Sequence, residues 1–250
     1  MDPIITAAVT SFATTLATNG TKAPLETLDN LWYLAFGKLN HFAEKKKAKH
    51  QHSLEEYKNS IAKKIISIED NDLQEPQMSV VGPALEASKY YIEEENLREM
   101  FANIIAASMD KNKSPNVHHA FVEIIKQLSP EDARNILLFK KESNYPIVSF
   151  VNILHSGGHH VINTNVFYGH NSDIIHGNEN ASSITNISRL GLVSISYDEH
   201  YTTPIKHDIY RNSTYFKLLE SAHNPNGRIG LIEGIVSLTP LGQNFIKICL

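Results

Sequence analysis

Charged side chains with spacings suited to acid–base chemistry cluster near the middle of this 250-residue sequence. Glu93, Glu94 and Glu95 are followed by Arg98 and Glu99, so one predicted helix start carries four carboxylates and a guanidinium. Such a set could act as an acid–base cluster. A helix N-terminus also favours negative charge without any catalysis, because its free backbone N–H groups carry partial positive charge. We therefore favour a solvated helix start with local ion pairs.

A basic run, EKKKAKHQH, lies upstream of this cluster. It could contact phosphate or anionic lipid, but we favour a solvated helix end. Between Lys38 and Lys64 there are eight basic and three acidic side chains, whereas between Glu69 and Asp132 there are five basic and thirteen acidic ones. The two segments could pair with each other or with those of a neighbouring copy. This pattern disfavours nucleic acid, which requires one broad positive face.

Five histidines lie close together in the sequence and could converge on a zinc ion. No cysteine accompanies them, and Asp173 is the only acidic residue nearby. His159 and His160 are neighbours on a predicted strand, so their side chains point to opposite faces. We therefore expect no metal site and interpret the cluster as surface or packing residues. The five are His155, His159, His160, His170 and His176.

The usual signatures of nucleophilic or phosphate chemistry are missing from the sequence. There is no Gly-x-Ser-x-Gly elbow, no Gly-x-x-x-x-Gly-Lys loop and no His-Glu-x-x-His pair. The one cysteine, Cys249, has no recognisable general base to activate it for catalysis, and a single cysteine cannot form an internal disulfide. MDPIITAAV lacks the features of a secretory signal, and no apolar run reaches the roughly 18 residues of a membrane span. We expect a cytoplasmic protein without a cofactor or a conventional reaction.

The elements that position these residues begin with a predicted N-terminal helical region, residues 1–68. Apolar residues from Ile4 to Leu16 form one helical stripe, and those from Leu28 to Phe42 form a second. Ser53 and Glu56 have the spacing of a capping box, which predicts a third helix starting there. We favour burial of both apolar stripes in the protein's own core. They could instead form an oligomer interface or a membrane-surface element.

A central helical bundle is predicted for residues 69–143. LREMFANIIAASMDK and HAFVEIIKQLSPEDA share a Phe–Ile–Ile pattern whose spacings place the apolar side chains on one helical face. We interpret this repeat as packing, not as a catalytic pair of helices. Ser129 and Pro130 then have the residue types of an N-cap and a first helical turn.

The C-terminal region, residues 144–250, is predicted to be α+β. A β-hairpin is expected around Ser156-Gly157-Gly158, and a helix over 181–190 passes through Gly191 into a strand. A helix over 205–224, a strand and a last helix starting at Thr239-Pro240 follow. The order resembles a winged-helix unit interrupted by an insertion. Arg189 is the only positive charge on the candidate groove helix, so we favour packing or protein contact over DNA reading.

The middle of the chain contains three stretches that match a known signature: Gly82 to Glu86, Leu97 to Ala106 and Phe121 to Pro130. They closely resemble the signature of the Abi-alpha, or abortive infection alpha, family. The RLGLV and LTPLGQNFIKICL segments are similar to that family's ending, and LDNLWYLAFGKLNHFAEKKK is similar to one branch of it. The resemblance implies a role in abortive infection, in which a bacterium stops growing or dies when a phage replicates inside it. It implies no agreed set of catalytic residues.

Together these observations predict a mainly helical protein with a C-terminal α+β, winged-helix-like part. The expected function is phage defence or host–phage interaction through protein contact and self-association, with a homo-oligomer and a phage or host protein as partners. The alternatives are a DNA-binding transcriptional regulator and a toxic effector that acts on membranes through its N-terminal helices. Nucleic acid is disfavoured, and a membrane surface is an alternative that we favour less. The candidate interaction residues are Lys45, Lys46, Lys47, Lys49, Glu93, Glu94, Glu95, Arg98 and Arg189.

Overall fold

The computed structural model describes residues 22–37, 44–199, 201–222 and 227–250. The predicted stripe from Ile4 to Leu16 lies outside these residues, as do Leu39 and Phe42 of the second stripe. Contacts divide the chain into two compact units. The first unit is Met1–Gln127 with Lys247–Leu250, and the second unit is Leu128–Ile246.

The described part of the first unit is helical. Its α-helices bury apolar faces against one another, and a short 3-10 helix, Ser114–Asn116, precedes the last of them. The helices are α1 (Lys22–Phe36), α2 (Glu44–Ile66), α3 (Met78–Ser88), α4 (Glu95–Ser108) and α5 (Ala120–Lys126).

The repeated Phe–Ile–Ile pattern lies in the core of the first unit, as predicted. All six side chains are buried, and the two phenylalanine rings have no exposed surface. Spacings of three and four residues bring each set to one face of its helix, where the apolar area is removed from water. The scaffold interpretation of the repeat is therefore confirmed. The six residues are Phe101, Ile104 and Ile105 on α4, and Phe121, Ile124 and Ile125 on α5.

The apolar face of α1 packs against α2. Leu28, Trp32 and Phe36 are fully or almost fully buried. The ring centroids of Trp32 and Phe36 lie 5.6 and 6.2 Å from that of Tyr57 on α2. Distances of this size are typical of offset and edge-on aromatic pairs. The described part of the second apolar stripe is thus used within the first unit.

The predicted capping box at Ser53 and Glu56 is wrong. Helix α2 already begins at Glu44 and passes through Ser53, which is buried in its interior. A capping side chain satisfies N–H groups that are free only in the first turn, so Ser53 has none to cap here. The apolar series that continues through Leu54, Tyr57 and Ile61 holds this part of the helix against the core.

The second unit is built on a four-stranded antiparallel sheet. Its strands are β1 (Asn144–Leu154), β2 (His159–Val166), β3 (Val193–Ser196) and β4 (Gly227–Leu238). They lie in the order β2-β1-β4-β3. The predicted hairpin is confirmed, since β1 and β2 pair antiparallel and Gly157 and Gly158 both have positive φ in the turn. The C-terminal helix begins in this unit, and its residues from Lys247 belong to the first unit. The helices are α6 (Pro130–Leu138), α7 (Ala181–Arg189), α8 (Asp208–Arg211), α9 (Thr214–Ser221) and α10 (Pro240–Cys249).

The segment between β3 and β4 supplies part of the second unit's core. Tyr210 on α8 is fully buried in a cluster with Val148, Phe150 and Val166, and its hydroxyl donates to the carbonyl of Pro146 at 2.7 Å. The single helix predicted over 205–224 is wrong. The chain forms a 3-10 helix, Pro204–His207, then α8 and α9, and the Ser213 hydroxyl caps α9 by accepting from the Phe216 N–H.

Strands β3 and β4 follow α7 and pair antiparallel, as a wing would, within the larger sheet. The mixed α+β architecture is therefore established, with helices throughout the described residues and one antiparallel sheet. The winged-helix interpretation stays a prediction.

Replacing Ser129 with alanine is expected to lower the free energy of unfolding by about 1 kcal/mol. Ser129 Oγ accepts from the Asp132 N–H at 3.1 Å, and Asp132 Oδ2 accepts from the Ser129 N–H at 2.8 Å. The substitution removes the first of these bonds from the start of α6. Urea unfolding followed by circular dichroism measures the loss. Ser221→Ala, at an exposed helix end, is the control, and an equal loss in the two variants would contradict the role of the cap.

Candidate functional site

A polar groove of about 430 Å³ lies between α2 and α4 in the first unit. Its α2 residues recur at spacings of three and four, as do its α4 residues, so each set occupies one face of its helix. We call it the α2–α4 groove. It is lined by Glu56, Asn59, Ser60, Lys63, Lys64, Glu95, Arg98 and Glu99.

Arg98 is anchored in the wall of the groove and is largely buried. Its Nη1 donates to the carbonyl of Ile92 and its Nη2 donates to Glu56 Oε2, both at 2.9 Å. The other carboxylate oxygen of Glu56 lies 3.3 Å from His52 Nε2. A guanidinium held by two acceptors has little freedom to turn, so Arg98 fixes the position of Glu56.

Glu99, the next residue on α4, also joins the two helices. Its Oε2 accepts from Ser60 Oγ at 2.8 Å and from Lys64 Nζ at 2.9 Å. Both donors are on α2, so a carboxylate of α4 satisfies two polar groups of the facing helix. These bonds and the Arg98 pair match most of the charge in the groove.

Three groove residues differ from the rest. Asn59, Lys63 and Glu95 are exposed, as Glu56 is, but unlike Glu56 they make no bond to a described residue across the groove. Within the described residues none of the three has a side-chain hydrogen bond or an ion pair. Lys63 projects from α2 and Glu95 projects from the first turn of α4. An open positive charge therefore lies on the α2 side of the groove and an open negative charge on the α4 side.

The structure brings together some of the residues selected from the sequence. Lys49 Nζ lies 2.9 Å from Glu93 Oε2, and Glu95 and Arg98 line the groove. Glu94 occupies the N-cap position of α4 without a capping bond from its side chain. The side chains of the other three lysines, Lys45, Lys46 and Lys47, lie outside those that the structure describes.

The segregated charge of the sequence is partly matched inside the first unit. The basic segment meets the acidic one in the pairs Lys49–Glu93 and Lys64–Glu99. The reverse pair, Glu56 with Arg98, adds a third link between the same two segments. Of the two outcomes expected from the charge pattern, pairing of the chain with itself is therefore observed.

Arg189 lies in the second unit, beside a shallow hollow of about 430 Å³ between α7 and β2. Its Nε and Nη2 donate to Asn186 Oδ1 at 3.0 and 2.8 Å, and Asn186 Nδ2 donates to Asp132 Oδ2 at 2.8 Å. The guanidinium thus takes part in joining α7 to α6. Thr164, Ser182 and Thr185 also line this hollow.

All five histidines of the sequence cluster are exposed. His155, His159 and His160 are exposed on the β1–β2 hairpin, and His170 Nε2 lies 2.5 Å from the carbonyl of Arg134. Across the residues that the structure describes, no three His, Cys, Asp or Glu side chains are grouped so that they could hold a metal ion. In the same part of the chain, no helix is both long and apolar enough to cross a membrane.

A buried lysine beneath α1 is not among the residues selected from the sequence. Lys58 is 7% exposed, and its Nζ lies 5.2 Å from the centre of the Trp32 ring. Burial lowers the pKa of Lys58 to about 8 from its ordinary 10.5, and the negative charge of Asp29 opposes this shift. Its position within the apolar series of α2 is the signal that could have identified it.

Comparison with known proteins supplies a family. The model of the family described as abortive infection alpha matches residues 49–249. The match includes α4, α5 and all the groove residues. No curated protein and no solved structure matches the chain.

Proposed function

Because this chain belongs to the abortive infection alpha family, we propose that it is a phage-defence protein that acts through protein contact and self-association, without a catalytic step. The single observation that carries the proposal is the family match over most of the chain. A family named for abortive infection supports the setting, and the mode of action is inferred from the surface of the first unit.

The α2–α4 groove supports a contact mechanism. Small-molecule sites are usually concave and mostly apolar, with a few polar groups that orient the ligand. The lining of this groove is instead made of charged and amide or hydroxyl side chains from two helices. Such a surface suits a partner that brings complementary charges, which confer specificity in protein association. A phage or host protein is a further candidate partner in the cytoplasm.

A phage challenge tests the proposal. We expect bacteria that produce the full chain to release fewer phage than bacteria with an empty vector, while the infected producing cells stop growing or die. Single-step growth curves and survival of infected cells measure both effects at high multiplicity of infection. Unchanged phage yield across a broad phage panel, with the protein detected in the cells, would overturn the proposal.

The same assay separates the two alternatives. Arg189→Ala removes the cation of α7 that a DNA-binding mode would use, so a regulator should lose its effect together with salt-dependent DNA binding. Removing residues 1–50 should abolish both toxicity and liposome binding if the N-terminal helices act on membranes. The proposed contact mechanism predicts that Arg189→Ala retains protection. Since Arg189 bonds with Asn186, the stability of this variant is measured alongside.

A further inference from the structure

The α2–α4 groove presents balanced charge. Three acidic and three basic side chains line it, and four of these six are already matched within the groove. Lys63 and Glu95 are the remaining two, one on each helix. A partner that offers one group of each sign, at a separation that fits this pair, would match both open charges.

We infer that the α2–α4 groove binds the same groove of a second copy of this chain, with Lys63 of each copy opposite Glu95 of the other. The inference rests on the proposed self-association and identifies the surface that carries it. In a two-fold symmetric contact the same patch is used on both copies, so each pairing occurs twice. The groove is suited to such a contact because its two open charges have opposite signs and lie on opposite sides. A two-fold rotation that brings α2 of one copy opposite α4 of the other places each open charge against one of opposite sign.

The two open charges of the α2–α4 groove also disfavour other binding partners. Nucleic acid or an anionic membrane would bring only negative groups, which Lys63 attracts and Glu95 repels. A purely acidic or purely basic protein segment has the same difficulty, since like charges opposite one another are costly at an interface. A second copy satisfies both open charges without requiring any other component.

The contact is expected to be weak and sensitive to salt. An exposed ion pair contributes only about 0.2–1 kcal/mol, and dissolved salt screens it. Ile66 supplies additional apolar area, because it follows Lys63 by three residues on α2 and is 63% exposed. Association should therefore be observed at low salt and high protein concentration and should weaken as salt is added.

Charge exchange in the full chain tests the inference by sedimentation equilibrium. Lys63→Glu and Glu95→Lys each replace two attractions by two repulsions, so each should raise the dimer dissociation constant about tenfold or more, which corresponds to about 1.4 kcal/mol. The double variant carrying both substitutions should restore association. An equimolar mixture of the two single variants should also associate, since the negative groove of one then faces the positive groove of the other.

Two exposed residues outside the groove provide matched controls. Glu69→Lys and Lys141→Glu make the same charge changes and should leave the dissociation constant within about twofold of the parent chain. Circular dichroism establishes that each variant is folded.

Each contrary result has a distinct meaning. Association that survives both single substitutions overturns the groove as the interface but leaves the proposed self-association standing. A parent chain that stays monomeric at every concentration and salt overturns both. If the single variants lose association and neither the double variant nor the mixture regains it, the Lys63–Glu95 pairing is wrong.

Discussion

Phe101→Ala is expected to lower the free energy of unfolding of the first unit by about 3–5 kcal/mol. The ring is fully buried on α4, and its centroid lies 5.8 Å from that of Tyr91. Truncation removes the transfer free energy of the ring and leaves a cavity that the surrounding helices fill only in part. Because whole domains are stable by only about 5–15 kcal/mol, this loss would be a large fraction of the unit's stability.

Urea unfolding followed by circular dichroism measures this effect, with Tyr90→Ala as the control. Tyr90 is an aromatic residue of the same unit but is 81% exposed, so its truncation should cost less than about 0.5 kcal/mol. A small loss for Phe101→Ala would mean that the ring is not packed as described. In that case the scaffold interpretation of the repeated pattern would fail.

Lys58→Met is expected to stabilise the first unit by about 2 kcal/mol at neutral pH. The buried ammonium lies beneath Trp32, where burial disfavours the charge and lowers the pKa of Lys58 to about 8. Methionine has a similar length and carries no charge, so it keeps the packing and removes the penalty. Lys141→Met, at an exposed position outside the α2–α4 groove, is the control and should change stability little.

The pH dependence gives an independent check on Lys58. Between pH 8 and pH 10.5 the unfolded chain holds a proton on this lysine that the folded chain has released, so stability rises with pH through this window. Between pH 7 and pH 9 the parent chain should gain about 1 kcal/mol relative to Lys58→Met. Burial raises the pKa of Cys249 and of Tyr210, whose opposite contribution begins only above their ordinary values of 9 and 10.

Fluorescence measures the unfolding of this region directly, because Trp32 is the only tryptophan in the chain. Emission should shift to longer wavelength as urea exposes the ring, and the midpoint of the shift reports stability near Lys58. Equal pH profiles for the parent chain and Lys58→Met would show that this lysine titrates normally.

Sequence patterns predicted the features that depend on neighbours along the chain. Ser129 forms the capping box because its partner Asp132 is three residues away. The buried faces of α4 and α5 follow from spacings of three and four residues, and the hairpin turn follows from Gly157-Gly158. In each case the physical cause acts within one or two helical turns, so it is visible in the residue order.

Other features depend on partners that are distant in sequence. The donors that Glu99 accepts from, Ser60 and Lys64, are 39 and 35 residues away, and no local pattern links them. Ser53 and Glu56 illustrate the reverse error, since a sound capping pattern lies in the middle of a helix that starts earlier. Glu56 has a different role there, as the acceptor for Arg98.

The noncontiguous first unit has a consequence for synthesis on the ribosome. Asn103 Nδ2 donates to the carbonyl of Cys249 at 2.9 Å, and the thiol of Cys249 is buried in the same unit. The ribosome therefore completes the whole second unit before it makes the residues that close the first one. A stop codon placed shortly after Ile246 would remove the Asn103–Cys249 hydrogen bond and the buried thiol, and would thereby destabilise the helices that are made first.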